Sequence, residues 1–98
     1  MPEHACFISL LTIELQIPHA QSLKDKRQQL RSLKERISHR FNSSVAEIGY
    51  QDKWQRALLA VCQVGNDKQK LLADSSKILT LCQTHSEIEI LNIKQTWL

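Results

Sequence analysis

Four histidines, three cysteines and ten carboxylates are the side chains of this 98-residue chain able to do acid–base, nucleophilic or metal chemistry. Their spacing argues against all three. A metal site needs ligands at short repeating intervals or gathered by the fold. His4, His19, His39 and His85 lie far apart, with no H-x-H or H-x-x-x-H pair. Paired carboxylates can act as acid and base, but Glu14, Glu47 and Asp52 are the only acids near predicted strand ends, and they read as solvated charge. Cys6, Cys62 and Cys82 form no C-x-x-C pair and sit among apolar residues. That pattern predicts packed thiols in a reducing, cytoplasmic compartment. No serine stands in a G-x-S-x-G elbow. No catalytic residue, metal or cofactor is expected, and the chain does not read as an enzyme.

Phosphate binding is the chemistry that the remaining side chains offer. Between Lys24 and Arg40 stand seven basic and two acidic residues, a local charge of +5, against −2 for the six basic and eight acidic residues elsewhere. At 100° per residue, Lys24, Arg27, Arg31 and Lys34 share one arc of about 80° and span about 15 Å of axis, enough to meet two or three phosphates. Lys26, Arg36 and Arg40 fall on the other side. Ser22 is placed to cap this helix, and its first turn, with Lys24, Lys26 and Arg27, reads as an anion site through free N–H groups and the helix dipole. The alternative is a solvated face, since Lys and Arg stems also cover apolar surface.

The elements that carry these residues follow from apolar periodicity. "CFISLLTIELQI", Cys6 to Ile17, has apolar residues at Phe7, Leu11, Ile13, Leu15 and Ile17, a period of two that predicts a strand. Its even positions Cys6, Ile8 and Leu10 are apolar too, so something covers the second face. Pro18 ends it. Ser22 and Asp25 make a capping pattern for a helix whose buried stripe is Leu23, Leu30, Leu33, Ile37 and Phe41. "VAEIGY" (45–50) and "RALLAVCQV" (56–64) read as neighbouring antiparallel strands joined by "QDKWQ". Asn66 or Asp67 caps a second helix with an inner stripe of Leu71, Leu72, Ser75, Ile78, Leu79 and Cys82, and "IEILNI" (88–93) opens a last strand towards Trp97. The order β-α-β-β-α-β predicts one α+β domain over residues 1–98, a ferredoxin-like sandwich with two helices on one face of a four-stranded antiparallel sheet. The N-terminal stretch lacks the basic and continuously apolar regions of a secretory signal, and no run approaches a membrane span.

This topology is shared by acylphosphatases and RNA-recognition motifs, and the sequence departs from both. The loop after the first strand, "PHAQS", has no glycine with which to cradle phosphate. The third strand has no aromatic residue on which to stack a base.

Over residues 17–27, 41–58 and 64–67 ("IPHAQSLKDKR", "FNSSVAEIGYQDKWQRAL", "VGND") the chain resembles the YlxP-like family of small bacterial proteins. His19 stands where the family's loop usually has glycine. The resemblance implies a ferredoxin-like, cytoplasmic protein with no established reaction, encoded among transcription and translation factors. An RNA- or ribosome-associated module using Ser22, Lys24, Lys26, Arg27, Arg31 and Lys34 is therefore expected. Gln51, Asp52, Trp54, Gln55 and Arg56 form a second family stretch. There Trp54 reads first as a lid over the end of the core and otherwise as a recognition anchor. The alternative function is a protein-interaction module that dimerises through Ile8, Leu10 and Leu58 on the open sheet face. A small-anion sensor at the helix start is a third.

Overall fold

The computed structural model describes residues 4–98, so residues 1–3, the start of the N-terminal stretch, lie outside it. The elements are β1 (Phe7–Gln16), α1 (Leu23–Arg40), β2 (Ser43–Gly49), β3 (Arg56–Gly65), α2 (Lys68–Gln83) and β4 (Glu89–Trp97). The strands make one antiparallel sheet in the order β2-β3-β1-β4, with both helices against one face. This is the ferredoxin-like sandwich.

β1 lies inside the sheet, paired to β3 from Phe7↔Gly65 to Gln16↔Arg56 and to β4 on its other side. Its odd residues Leu11, Ile13 and Leu15 face the helices and are buried with Leu59 and Val61 of β3. Ser9, the break in the apolar pattern, is buried on the same face, and its hydroxyl accepts from Gln95 Nε2 at 3.1 Å. A buried hydroxyl needs such a partner.

Both helices start on caps. Ser22 Oγ accepts from the Asp25 N–H at 3.0 Å, and Asp67 Oδ1 accepts from Gln69 and Lys70 N–H groups at 3.0 and 3.3 Å. Each cap of this kind contributes about 1 kcal/mol. The inner stripe of α1 is Lys26, Leu30, Leu33 and Ile37. In α2 it is Leu71, Ser75, Ile78, Leu81 and Cys82. Leu72 and Leu79, expected inside, are half-buried, and Leu81 takes the core position instead.

Two expectations are corrected here. Of the three thiols only Cys82 packs in the core; Cys6 is exposed and Cys62 half-buried on the open face. Cys6 precedes β1, and the even positions of β3 point away from the helices. Phe7, expected in the core, is half-buried and packs edge-on against Trp97, with ring centroids 6.4 Å apart. Trp97 in turn sits beneath the Lys68 ammonium, 4.9 Å from its ring centre.

Candidate functional site

The basic helix separates into two parts. Lys24, Arg27 and Arg31 are exposed and Lys34 half-buried along one flank. Among the described residues none of the four makes an ion pair; the pairs are Lys26–Glu47, Arg56–Glu14 and Lys70–Asp74. The opposite flank carries Arg36, which acts electrostatically on Cys82 and His85 of the α2 end, and Arg40, which lines a groove with α2. α1 packs against the outer strand β2, and the four-cation ridge lies on its flank away from α2.

Lys26 is not part of that ridge. It is 1% exposed, and its Nζ donates to the carbonyl oxygens of Tyr50 at 2.6 Å and Lys53 at 2.7 Å. Glu47 Oε2 lies 2.9 Å from the same ammonium as an ion pair rather than a directed hydrogen bond. The reason is helical geometry: position 26 falls between Leu23 and Leu30 on the inward stripe. Its assignment to phosphate is overturned, because all its donors are directed inward. The spacing Leu23-Lys26-Leu30 was the available signal.

The start of α1 also differs from the anion site expected of it. Ser22 takes the Asp25 N–H, and the Asp25 carboxylate accepts the Gln21 N–H at 3.0 Å. The chain's own carboxylate occupies the end of the dipole where an anion would settle.

What Lys26 holds is the β2–β3 connection. Tyr50 sits in the left-handed region at φ 58°, a conformation costing about 1 kcal/mol or more for a non-glycine residue. Its carbonyl accepts from Lys26 and from the Lys53 N–H at 3.0 Å. Its hydroxyl donates to Glu14 at 3.3 Å, and the Arg56 guanidinium lies 5.2 Å above its ring. Arg56 also pairs with Glu14 at 2.9 Å, and this hydrogen bond is the foremost cause holding the Glu14 carboxyl below its usual range. Gly49 precedes the turn at a register shift, where a Cβ would come 3.1 Å from Leu58 Cδ2. The far side of the loop is tied by Gln55, whose Nε2 donates to Ala20 O at 3.0 Å and whose carbonyl accepts from Ile17 N–H at 2.9 Å.

This clamped loop presents Trp54, 54% exposed, over a shallow hollow shared with Gln16, Tyr50 and Arg56. Trp54 is thus not a lid on the core, because Ile17 and Ala20 are buried at that end and Gln55 ties them down. Gln51 Nε2 donates to Glu47 O at 3.3 Å, and Asp52 is exposed. Ile8, Leu10 and Leu58 lie half-buried on the open face of the sheet, with Cys62 of β3 opposite Leu10.

Among the described residues, no three His, Cys, Asp or Glu side chains gather to hold a metal ion, and no helix is long and apolar enough to cross a membrane. The molecule is a small ferredoxin-like α+β protein that presents a cationic ridge and an aromatic loop. Residues 8–95 match the family described as "Protein of unknown function (DUF503)", and the chain belongs to that family. It is 32% identical over 90 residues to "Uncharacterized protein YlxP" of Bacillus subtilis (strain 168), covering 92% of this chain and 98% of that protein. Among solved structures, "De novo designed protein Foldit4" is similar at TM-score 0.56 and 12% identity, over 93% of this chain and 96% of that one. At that identity the likeness concerns the fold alone.

Proposed function

We propose that this protein is a cytoplasmic RNA-binding accessory module, a binder rather than an enzyme, which takes a phosphate backbone along Lys24, Arg27, Arg31 and Lys34. The observation that supports this reading is the ridge itself: four cations on one flank, none paired with an acid among the described residues. Cations placed only for solubility need not be segregated onto one element. Trp54 supplies an exposed ring at the neighbouring loop, suited to stack a base. RNA of the ribosome is the partner expected. The test is retention of a single-stranded RNA over a salt series. About three phosphate contacts give a slope of about −2 in log K against log salt. Lys24→Glu, Arg27→Glu and Arg31→Glu together abolish retention; unchanged retention at low salt refutes the reading.

A second reading has its own support. The open sheet face carries Ile8, Leu10 and Leu58, with Val64 at 51% exposure near one end and Ile48 at 52% near the other. Burying such a face against a second copy makes a dimer compatible with RNA binding along the helix. Sedimentation showing only monomer at micromolar concentration removes this reading.

A further inference from the structure

The loop between β2 and β3 is fixed more firmly than an exposed connection requires. The buried Lys26 ammonium donates to two of its carbonyl oxygens, and Tyr50 is kept at φ 58°. Backbone in a sparsely populated region persists only where the surroundings impose it, and such strain gathers at sites that act on something else. What this loop presents is aromatic. Trp54 is 54% exposed and Tyr50 40%. Both line an open hollow of about 450 Å³, together with Gln16, Lys53, Gln55 and Arg56. That volume lies within the range of about 300–1,000 Å³ common to small-ligand sites.

The lining selects among occupants. Two rings offer flat apolar surface, and no carboxylate lines the hollow. Lys53 is exposed and makes no ion pair among the described residues. Arg56 uses Nη2 on Glu14, but its side chain is 46% exposed and keeps further N–H donors. A flat, anionic occupant matches these groups, as one nucleotide of a strand does. Position adds a second argument. Lys26 shares its helical turn with Lys24 and Arg27, the first cations of the ridge, and its Nζ lies 2.7 Å from the Lys53 carbonyl oxygen. Ridge and hollow therefore adjoin. Resting on the RNA reading above, we infer that the hollow seats one unpaired nucleotide of the bound strand, its base against Trp54 and its phosphate between Lys53 and Arg56. A ridge of cations meets phosphates in duplex and single strand alike, whereas a base stacks on a protein ring only when it is unpaired. The hollow thereby makes the protein selective for unpaired RNA.

The experiment is a fluorescence titration of the full chain carrying Trp97→Phe, in which Trp54 alone emits. The probes are a short unstructured RNA, the same strand annealed to its complement, and inorganic polyphosphate. The unpaired strand quenches Trp54, while the duplex and polyphosphate bind without quenching. In the chain with both tryptophans, Trp54→Ala keeps the Tm of the unaltered protein, since the ring lies outside the core. By filter retention it holds the unpaired strand about tenfold more weakly and the duplex as before. Its salt slope is unchanged, because stacking releases no counterions, whereas Lys53→Ala lowers the magnitude of that slope by about 0.7. Trp54→Phe restores most of the lost affinity. Retention of the unpaired strand without quenching, equal quenching by the duplex, or full affinity in Trp54→Ala overturns the inference and leaves the ridge standing. No retention of either RNA at low salt overturns the RNA reading and the seated nucleotide together. Quenching by an acidic, tyrosine-bearing peptide and not by RNA also overturns the inference, and assigns the loop to a protein partner.

Discussion

Replacing Lys26 with methionine removes an ammonium from a site that is 1% exposed and leaves the stem's volume nearly unchanged. Two carbonyl oxygens, of Tyr50 and Lys53, lose charged donors at 2.6 and 2.7 Å, and the Glu47 carboxylate loses its cation at 2.9 Å. Each charge-assisted bond contributes about 1.5–3 kcal/mol. Removing one partner of a buried ion pair costs about 3–5 kcal/mol, because the other charge stays behind. The ammonium no longer has to be dehydrated, which offsets part of the sum, so the net loss is about 4 kcal/mol. For a domain of this length that is a fall in Tm on the order of 20 °C, out of a total stability of about 5–15 kcal/mol. Differential scanning calorimetry reads it directly. Lys26→Met with Glu47→Gln recovers roughly half, since the orphaned charge is gone while the two carbonyls still lack their charged donor. In a Trp97→Phe background, Trp54 emission shifts as the loop loosens. A Tm within about 5 °C of the unaltered protein would refute this account, because the loop would then be held without Lys26, by Gln55 and its other contacts.

Further outcomes follow from pKa shifts. Burial foremost, aided by Arg36 and opposed by Glu87, lowers the pKa of His85 below its ordinary 6.5. The folded state thus favours neutral imidazole, so this contribution is complete above pH 6.5 and is lost as pH falls through the lowered value. Melting scans from about pH 7.5 to about pH 5 show a decline that His85→Gln flattens; equal slopes in the two proteins would contradict it. Burial pushes the Cys82 thiol up to about 11. A thiol-reactive disulfide therefore modifies Cys6 and Cys62 in the native protein and Cys82 only on unfolding. Three thiols titrating at one rate would contradict the packing, and protection of Cys62 that grows with protein concentration would mark pairing of sheet faces.

Much of the framework was legible because it is written in local spacing. The alternation of Leu11, Ile13 and Leu15, and the Ser22-Asp25 cap, depend only on residues a few positions apart. Lys26 reads from the sequence as a phosphate ligand because its true partners Glu47, Tyr50 and Lys53 lie 21 to 27 positions further along and act largely through backbone carbonyls, which have no residue signature. Charge suggested surface, and position in the stripe overruled it. Gln63 continues the inward alternation of Ala57, Leu59 and Val61, so its burial was readable, but its unmet oxygen required the helices above it. Trp54 was misjudged because an aromatic side chain in a loop is usually placed inward by its own apolar area. Here Gln55 and the Ile17–Ala20 corner had already closed that end.

β2 is an outermost strand, with one row of backbone groups unpaired, and the cation-bearing helix α1 packs against it. Such margins invite a second chain to add itself as a further strand. Two molecules meeting there side by side would bring like charges together, and mutual repulsion would turn them apart. The ridge proposed as an RNA contact therefore also discourages fibrous growth along the sheet, and screening those charges with salt should make the protein less tolerant of crowding.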